Sequence, residues 1–264
     1  MDLQLVGKRA LVTGSSSGLG EAIARRLAAE GATIVVHGRD RARATAVAKS
    51  IREDGGVADI AIGDLATDSG AAHVQDAAAQ DGPVDILVNN VGVYEPTARW
   101  GDTPPDSWAE IYNINVISGV RMIQRLLPDM RARGWGRVIQ ISSVTGHRPA
   151  ASQPHYASTN AARNNLAVSL ARELKHSGVT SNAVAAEGIL TPATLDLLVG
   201  VGRAQGWGET WAEIEPKTAA LAPNDAGRIA GPEEYANVVA FLASPAAGYI
   251  NGTTLHVDGG AYDV

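Results

Sequence analysis

Short apolar runs alternate along the chain with longer stretches whose apolar residues recur every three or four positions. The short runs are Arg9–Val12, Thr33–His37, Val57–Ile62, Ile86–Asn89, Val138–Ser142, Thr180–Ala185 and Thr254–Val257, and each reads as a buried strand. Helical spacing is clearest over Arg41–Arg52, where Ala44, Val47, Ala48 and Ile51 share a face, and over Ser107–Leu127, with Ile111, Ile114, Val116, Val120 and Ile123. His155–Lys175 and Glu233–Leu242 follow the same rule, as does a segment opening at Gly18 and Gly20 and closing at Gly31. Apolar strands alternating with helices predict an α/β fold: one doubly wound parallel sheet with helices on both faces, and ligands beyond the C-terminal ends of its strands. No linker, repeat or low-complexity stretch divides residues 1–264, so one domain is expected. Residues 191–228 break the alternation. They are rich in Gly, Pro and Trp and too long for a simple connection, which marks them as a candidate substrate lid.

Composition narrows the function. A net charge of −6 with no Lys/Arg run argues against a nucleic-acid partner, and the chain contains no cysteine, which excludes disulfides and thiolate chemistry. Neither a signal-peptide pattern nor an apolar run of bilayer length occurs, so the expectation is a cytoplasmic protein with no membrane partner. No His/Asp/Glu cluster has metal-ligand spacing, and no metal is expected.

Residues 10–20 carry the strongest chemical signal. The run Ala10-Leu11-Val12 ends at Gly14, and Gly18 and Gly20 open the next helix. Strand, glycine turn and helix aim backbone N–H groups and a helix N-terminus at a bound phosphate, and a Cβ in the turn would stand in the ligand's place. Gly14, Ser16, Ser17, Gly18, Leu19 and Gly20 are therefore expected to hold a dinucleotide. The second strand ends in His37-Gly38-Arg39, with no acid at its tip. An arginine there pairs with a 2′-phosphate, whereas a carboxylate would accept from a free 2′-hydroxyl, so NADP(H) is expected over NAD(H). Asp40 reads as the cap of the next helix. Asp64 and Leu65 after the third strand, and Asn90, Val91 and Gly92 after the fourth, lie where the adenine and its ribose would rest.

Taken in order, these pieces resemble the short-chain dehydrogenase/reductase family from about Val6 to Val257. Thr13-Gly14-x-x-x-Gly18-x-Gly20 resembles its cofactor loop and Asn89-Asn90-Val91-Gly92 its Asn-Asn-Ala-Gly turn. Asn115 falls where the family has a catalytic asparagine, and Ser143 precedes Tyr156 by the usual thirteen residues. Gly231-Pro232-Glu233-Glu234 and Asn251-Gly252 through Gly260 resemble its C-terminal signature. The likeness implies a Rossmann-type domain, often a homo-oligomer (tetramer or dimer), that moves hydride between nicotinamide and a small carbonyl or alcohol. The 3-oxoacyl-carrier-protein reductase-like group looks nearest, and the substrate it implies is a 3-oxoacyl thioester or another apolar ketone. Ile189 and Thr191 resemble the family's contacts to carboxamide and pyrophosphate.

Two positions depart from the pattern. Tyr-x-x-x-Lys reads here Tyr156-Ala-Ser-Thr-Asn160, and the usual Pro-Gly after the sixth strand reads Glu187-Gly188. In the family the lysine binds the nicotinamide ribose and lowers the tyrosine's pKa by its charge. Asn160 is expected to meet the ribose hydroxyls without that charge. Arg163, three positions further on, is not expected to reach the site, so nothing restores the charge. A phenol of ordinary pKa, near ~10, is ionised in only about one molecule in a thousand at neutral pH. Oxidation of an alcohol needs that phenolate, whereas reduction needs the neutral phenol. The expectation is a ketone reductase with Tyr156 as proton donor and Ser143 polarising the carbonyl, impaired chiefly in oxidation. The competing reading is a cofactor-binding homologue without redox chemistry, or a reductase inactivated by substitution at 160. His147 and Arg148 read either as the border of the substrate mouth or as solvated loop residues, and Trp207 and Trp211 as an apolar wall or a packing pair.

Overall fold

The computed structural model describes residues 2–221 and 223–261. Its centre is a seven-stranded parallel sheet in the order β3-β2-β1-β4-β5-β6-β7. The strands are β1 (Arg9–Val12), β2 (Thr33–Gly38), β3 (Val57–Ile62), β4 (Ile86–Asn89), β5 (Gly136–Ser143), β6 (Val179–Ala186) and β7 (Thr254–Val257). Each of the seven apolar runs is a strand. Side chains alternate across the pleat, so β1 sends Leu11 to one face and Ala10 and Val12 to the other. Register carries this through the sheet: Leu11 is level with Val35 and Leu87, and Val12 with Val36 and Val88. Both faces are therefore apolar, and each needs a helical layer.

On one face α1 (Gly18–Ala29), α2 (Arg41–Glu53) and α9 (Pro232–Ala243) supply Ile23, Leu27, Val47, Tyr235 and Val239. The opposite face is covered by α3 (Asp68–Ala79) and α5 (Ser118–Ala132), through Val74, Met122, Leu126 and Met130. The long α6 (Pro154–Glu173) lies against β5 and β6.

Three stretches differ from the sequence expectation. Residues 68–79 have few large apolar side chains, yet form α3, capped by the Thr67 hydroxyl accepting from the Gly70 N–H at 3.0 Å. The single helix expected over Ser107–Leu127 is α4 (Pro105–Tyr112), one π-helical turn (Asn113–Ile117) and α5. One wide turn adds a single residue, a phase shift that a broad apolar face conceals. Finally, the segment 191–228 holds two helices, α7 (Pro192–Ala204) and α8 (Trp211–Leu221). They touch where Gly202 leaves room for Ile214; a Cβ at 202 would lie 2.6 Å from an Ile214 methyl.

Candidate active site

Strand order reverses between β1, whose chain continues to β2, and β4, whose chain continues to β5. A crevice opens above that point, because the loops after β1 and β4 lead away in opposite directions. A long cleft occupies it, in two contiguous lobes.

The floor is the turn after β1. Gly14 and Gly18 have left-handed backbone (φ +68° and +58°). Gly20 packs so tightly that a Cβ would fall 2.4 Å from the Gly14 carbonyl oxygen. Ser17 precedes α1 without a side-chain cap, which leaves the N–H groups of the first turn for a ligand. The turn is braced from both sides. Thr13 Oγ1 accepts from the N–H groups of Asn90 and Val91 at 2.9 and 3.1 Å, and Asn90 Nδ2 donates to the Thr13 carbonyl at 2.9 Å. Across β2, the Gly14 N–H donates to His37 Nδ1 at 2.9 Å, while His37 Nε2 faces the Gly63 carbonyl at 3.2 Å. These partners require the neutral Nε2–H tautomer, and burial pushes the His37 pKa down to about 4.

One lobe is lined by Gly14, Ser16, Ser17, Arg39, Asp64 and Leu65, with Asn90, Val91 and Gly92. Arg43 joins Arg39 there, and Asp40 is occupied as the α2 cap, accepting from the Ala42 and Arg43 N–H groups at 2.8 and 3.2 Å. The tip of β2 and the first turn of α2 thus present two guanidinium groups to the lobe, beside Asp40, whose Oδ1 caps the helix.

The other lobe is lined by Gly18, Leu19, Gly20, Ile189 and Thr191, and by Asn115, Ser143, Tyr156 and Asn160. Ser143 ends β5, and its Oγ accepts from the Thr145 N–H at 3.2 Å. Tyr156, in the first turn of α6, is half-buried under the tilted ring of Tyr94, centroids 5.9 Å apart. Asn115 sits in the π turn and clasps the backbone of Val93, accepting from its N–H at 2.8 Å and donating to its carbonyl at 2.9 Å. The residues expected from sequence to bind cofactor or take part in catalysis therefore all border one continuous cleft.

Three residues add to the sequence reading. The Asn160 amide nitrogen donates to the Tyr156 carbonyl at 2.9 Å, which commits one of its two N–H groups within its own helix. Arg163 does reach the site: its guanidinium lines this lobe and donates to the backbone carbonyls of Asn115, Ile141 and Val91. The signal was present in the sequence, since 156, 160 and 163 fall on one helix face. Glu187 also faces the cleft, half-buried; burial raises its carboxyl pKa and the Arg148 charge draws it back.

His147 stacks on His256 at 5.5 Å, and Arg148 pairs with Asp258 at 3.2 Å, so both lean on the C-terminal segment instead of lining the cleft. Trp207 and Trp211 are half-buried and do not line it either. Among the described residues no helix is long and apolar enough to cross a membrane, and no group of three His, Asp or Glu could hold a metal ion.

A reversed parallel sheet with a glycine turn at the reversal and a tyrosine and serine at the far lobe is the layout of a dinucleotide-dependent oxidoreductase. The pattern of the short chain dehydrogenase family matches residues 8–198. The chain is 36% identical over 262 residues to the uncharacterized oxidoreductase YvaG of Bacillus subtilis, with 98% of each chain covered. It is equally 36% identical over 264 residues to the 3-oxoacyl-[acyl-carrier-protein] reductase FabG of Vibrio harveyi, covering 99% of this chain and all of that protein. Among solved structures, L-sorbose reductase from Gluconobacter frateurii, complexed with NADPH and L-sorbose, superposes over the full length of both chains with a TM-score of 0.93 at 33% identity. The chain belongs to the short-chain dehydrogenase/reductase family of oxidoreductases.

Proposed function

We propose that the protein is an NADP(H)-dependent reductase that converts a small ketone to a secondary alcohol. What carries the reading is the placement of Tyr156 and Ser143 at one end of a cleft whose other end offers Arg39 and Arg43, with the nearby carboxylate of Asp40 capping α2. The glycine turn fits a dinucleotide, because its cradle is one that a Cβ would fill and the first N–H groups of α1 lack a side-chain cap. Ser16, Ser17 and the α1 N-terminus would hold the pyrophosphate, and Arg39 the 2′-phosphate. Asp64, Leu65 and Asn90 to Gly92 would border the adenosine, and Ile189 and Thr191 the nicotinamide half. Bound there, reduced cofactor supplies hydride to the carbonyl carbon. Tyr156 gives its proton to the carbonyl oxygen, and the Ser143 hydroxyl donates to the same oxygen and polarises it. Asn115 holds the loop after β4 against the site. Reduction is the proposed direction, with Tyr156 as proton donor.

The substrate end carries Thr145, Gln153 and Glu187 beside Tyr94. That polar set suits a ketone bearing hydroxyl groups better than a bare acyl chain, and it agrees with the L-sorbose named for the Gluconobacter structure. Helices α7 and α8, which begin where Thr191 and Thr194 border the cleft, are the segment placed to close over a bound substrate. As in its family at large, the working form is expected to be a homo-oligomer.

The test is NADPH consumption with a panel of ketoses and 3-oxoacyl thioesters, run beside NADH. Turnover with NADPH, lost by roughly 10²-fold or more in Tyr156→Phe, is the expected outcome. Tight NADPH binding with no turnover of any ketone would instead identify a homologue that binds cofactor without redox chemistry.

A further inference from the structure

Arg163 is an unusual cation. Only 6% of it is exposed, yet no carboxylate among the described residues lies within ion-pair distance. Its Nε donates to the Asn115 carbonyl at 2.6 Å, and its two terminal nitrogens donate to the carbonyls of Ile141 and Val91. Those three carbonyls come from the π turn, β5 and the loop after β4, the segments that converge on the Tyr156 lobe. The guanidinium is not sealed off from that lobe. It lies beneath Gly92, whose missing Cβ would sit 3.6 Å from one terminal nitrogen and 3.8 Å from the other.

Carbonyl dipoles orient a buried guanidinium but leave its net charge uncancelled, and a buried charge without a counter-ion is costly to keep. Such a charge favours an anion that forms beside it. The other titratable side chains bordering the lobe are Tyr94, from the segment after β4, Tyr156 on the same helix, and Glu187 after β6. All three are neutral or negative, so Arg163 is the one cation lining the lobe among the described residues. Burial pushes its pKa down to about 10, and the Tyr156 phenol acts in the opposite sense, so the guanidinium stays charged at neutral pH. The pKa of the Glu187 carboxyl is raised by burial, drawn back by the Arg148 charge and pushed up again by Asp258.

We propose that Arg163 supplies the positive charge of this active site, stabilising the oxygen of Tyr156 as it loses its proton. It is a positioning residue acting through Tyr156, and the inference rests on Tyr156 being the proton donor. It performs from seven residues along the helix what the family's lysine does from four, and what Asn160 cannot do. The step balances: the carbonyl carbon takes hydride from reduced nicotinamide, the carbonyl oxygen takes the phenol proton, and the O–H bond that breaks leaves a phenolate in the lobe that Arg163 lines. Solvent then returns a proton to the phenolate. In the reverse direction the same charge raises the fraction of Tyr156 able to accept a proton, so oxidation is less impaired than asparagine at 160 alone dictates.

The test is a spectrophotometric titration of Tyr156 in cofactor-free protein, isolated as the difference from Tyr156→Phe. Arg163→Met is expected to raise the midpoint by about one pH unit or more, and Arg163→Lys to hold it near wild type. The same pair of proteins, with and without Arg163→Met, is titrated in an Asn160→Lys background, which keeps a cation in the lobe should the single variant fail to fold. There too, loss of Arg163 is expected to raise the midpoint. A midpoint unmoved by Arg163→Met in a folded protein overturns the proposal. The titration uses neither cofactor nor ketone. A protein that reduces no ketone but shows the shift would therefore refute the function and not the coupling, and active protein without the shift would do the reverse.

Discussion

His37 ties the cofactor turn to the sheet through one neutral ring. Its Nδ1 must accept from the Gly14 N–H and its Nε2 must donate to the Gly63 carbonyl, and a protonated ring cannot accept at Nδ1. Burial holds its pKa at about 4 in the folded protein, against 6.5 for the exposed group. Below the unfolded value the unfolded chain binds more protons than the folded one. The stabilisation is therefore complete above about pH 6.5 and is lost as pH falls through the folded value, an order of ~3 kcal/mol in all. Thermal melts from pH 7 to 4 should show His37→Asn, whose Oδ1 can take the Gly14 N–H, losing less stability than wild type over that window. An equal loss in both proteins would place the acid sensitivity elsewhere. Side-chain identity made His37 visible at the end of β2, but its tautomer and its bond to Gly14 join residues 23 apart in sequence and depend on the register of β1 on β2.

At the scale of elements, the turn from β1 into α1 is where backbone shape and function are least separable. Gly20 is helical and could carry a side chain in isolation, but here a methyl group would meet the Gly14 carbonyl at 2.4 Å and Asn90 Nδ2 at 2.6 Å. Gly20→Ala is expected to cost about 3 kcal/mol, because backbone cannot step aside as a flexible side chain can. Chemical denaturation measures the cost, and NADPH affinity should fall with it, since the obstructed atoms shape the phosphate cradle. A variant as stable as wild type would show that the turn has slack. The glycine spacing was readable as a tight turn from strand to helix. The π turn at Asn113–Ile117 was not, because a shift of one residue is concealed by a broad apolar face, and it is this turn that sets Asn115 against Val93 and its carbonyl against Arg163. Likewise, α7 and α8 were hidden by Gly and Pro residues that break periodicity in sequence but serve close packing and turns in the structure.

For the whole molecule, the cleft gathers loops from both halves of the sheet, so a ligand that fills it braces the two halves together. NADPH at about one hundred times its dissociation constant should stabilise the protein by ~2.7 kcal/mol, a rise of about 5 °C or more in melting temperature. NADH at the same concentration should give a smaller rise, because it lacks the phosphate that Arg39 and Arg43 would hold. Equal rises would remove the ground for preferring NADP(H). The layered α/β sheet and the glycine turn after β1 were settled by the sequence itself: strand and helix periods and the placement of glycine are local properties, fixed by burial of alternating faces and by backbone sterics. The electrostatics of the active site were settled only by tertiary structure. Residue 160 announces a lost charge, but whether a cation replaces it depends on how α6 is rotated against β5 and on which carbonyls converge beneath Gly92. Those contacts join segments 22 to 72 residues apart, so no local pattern could express them.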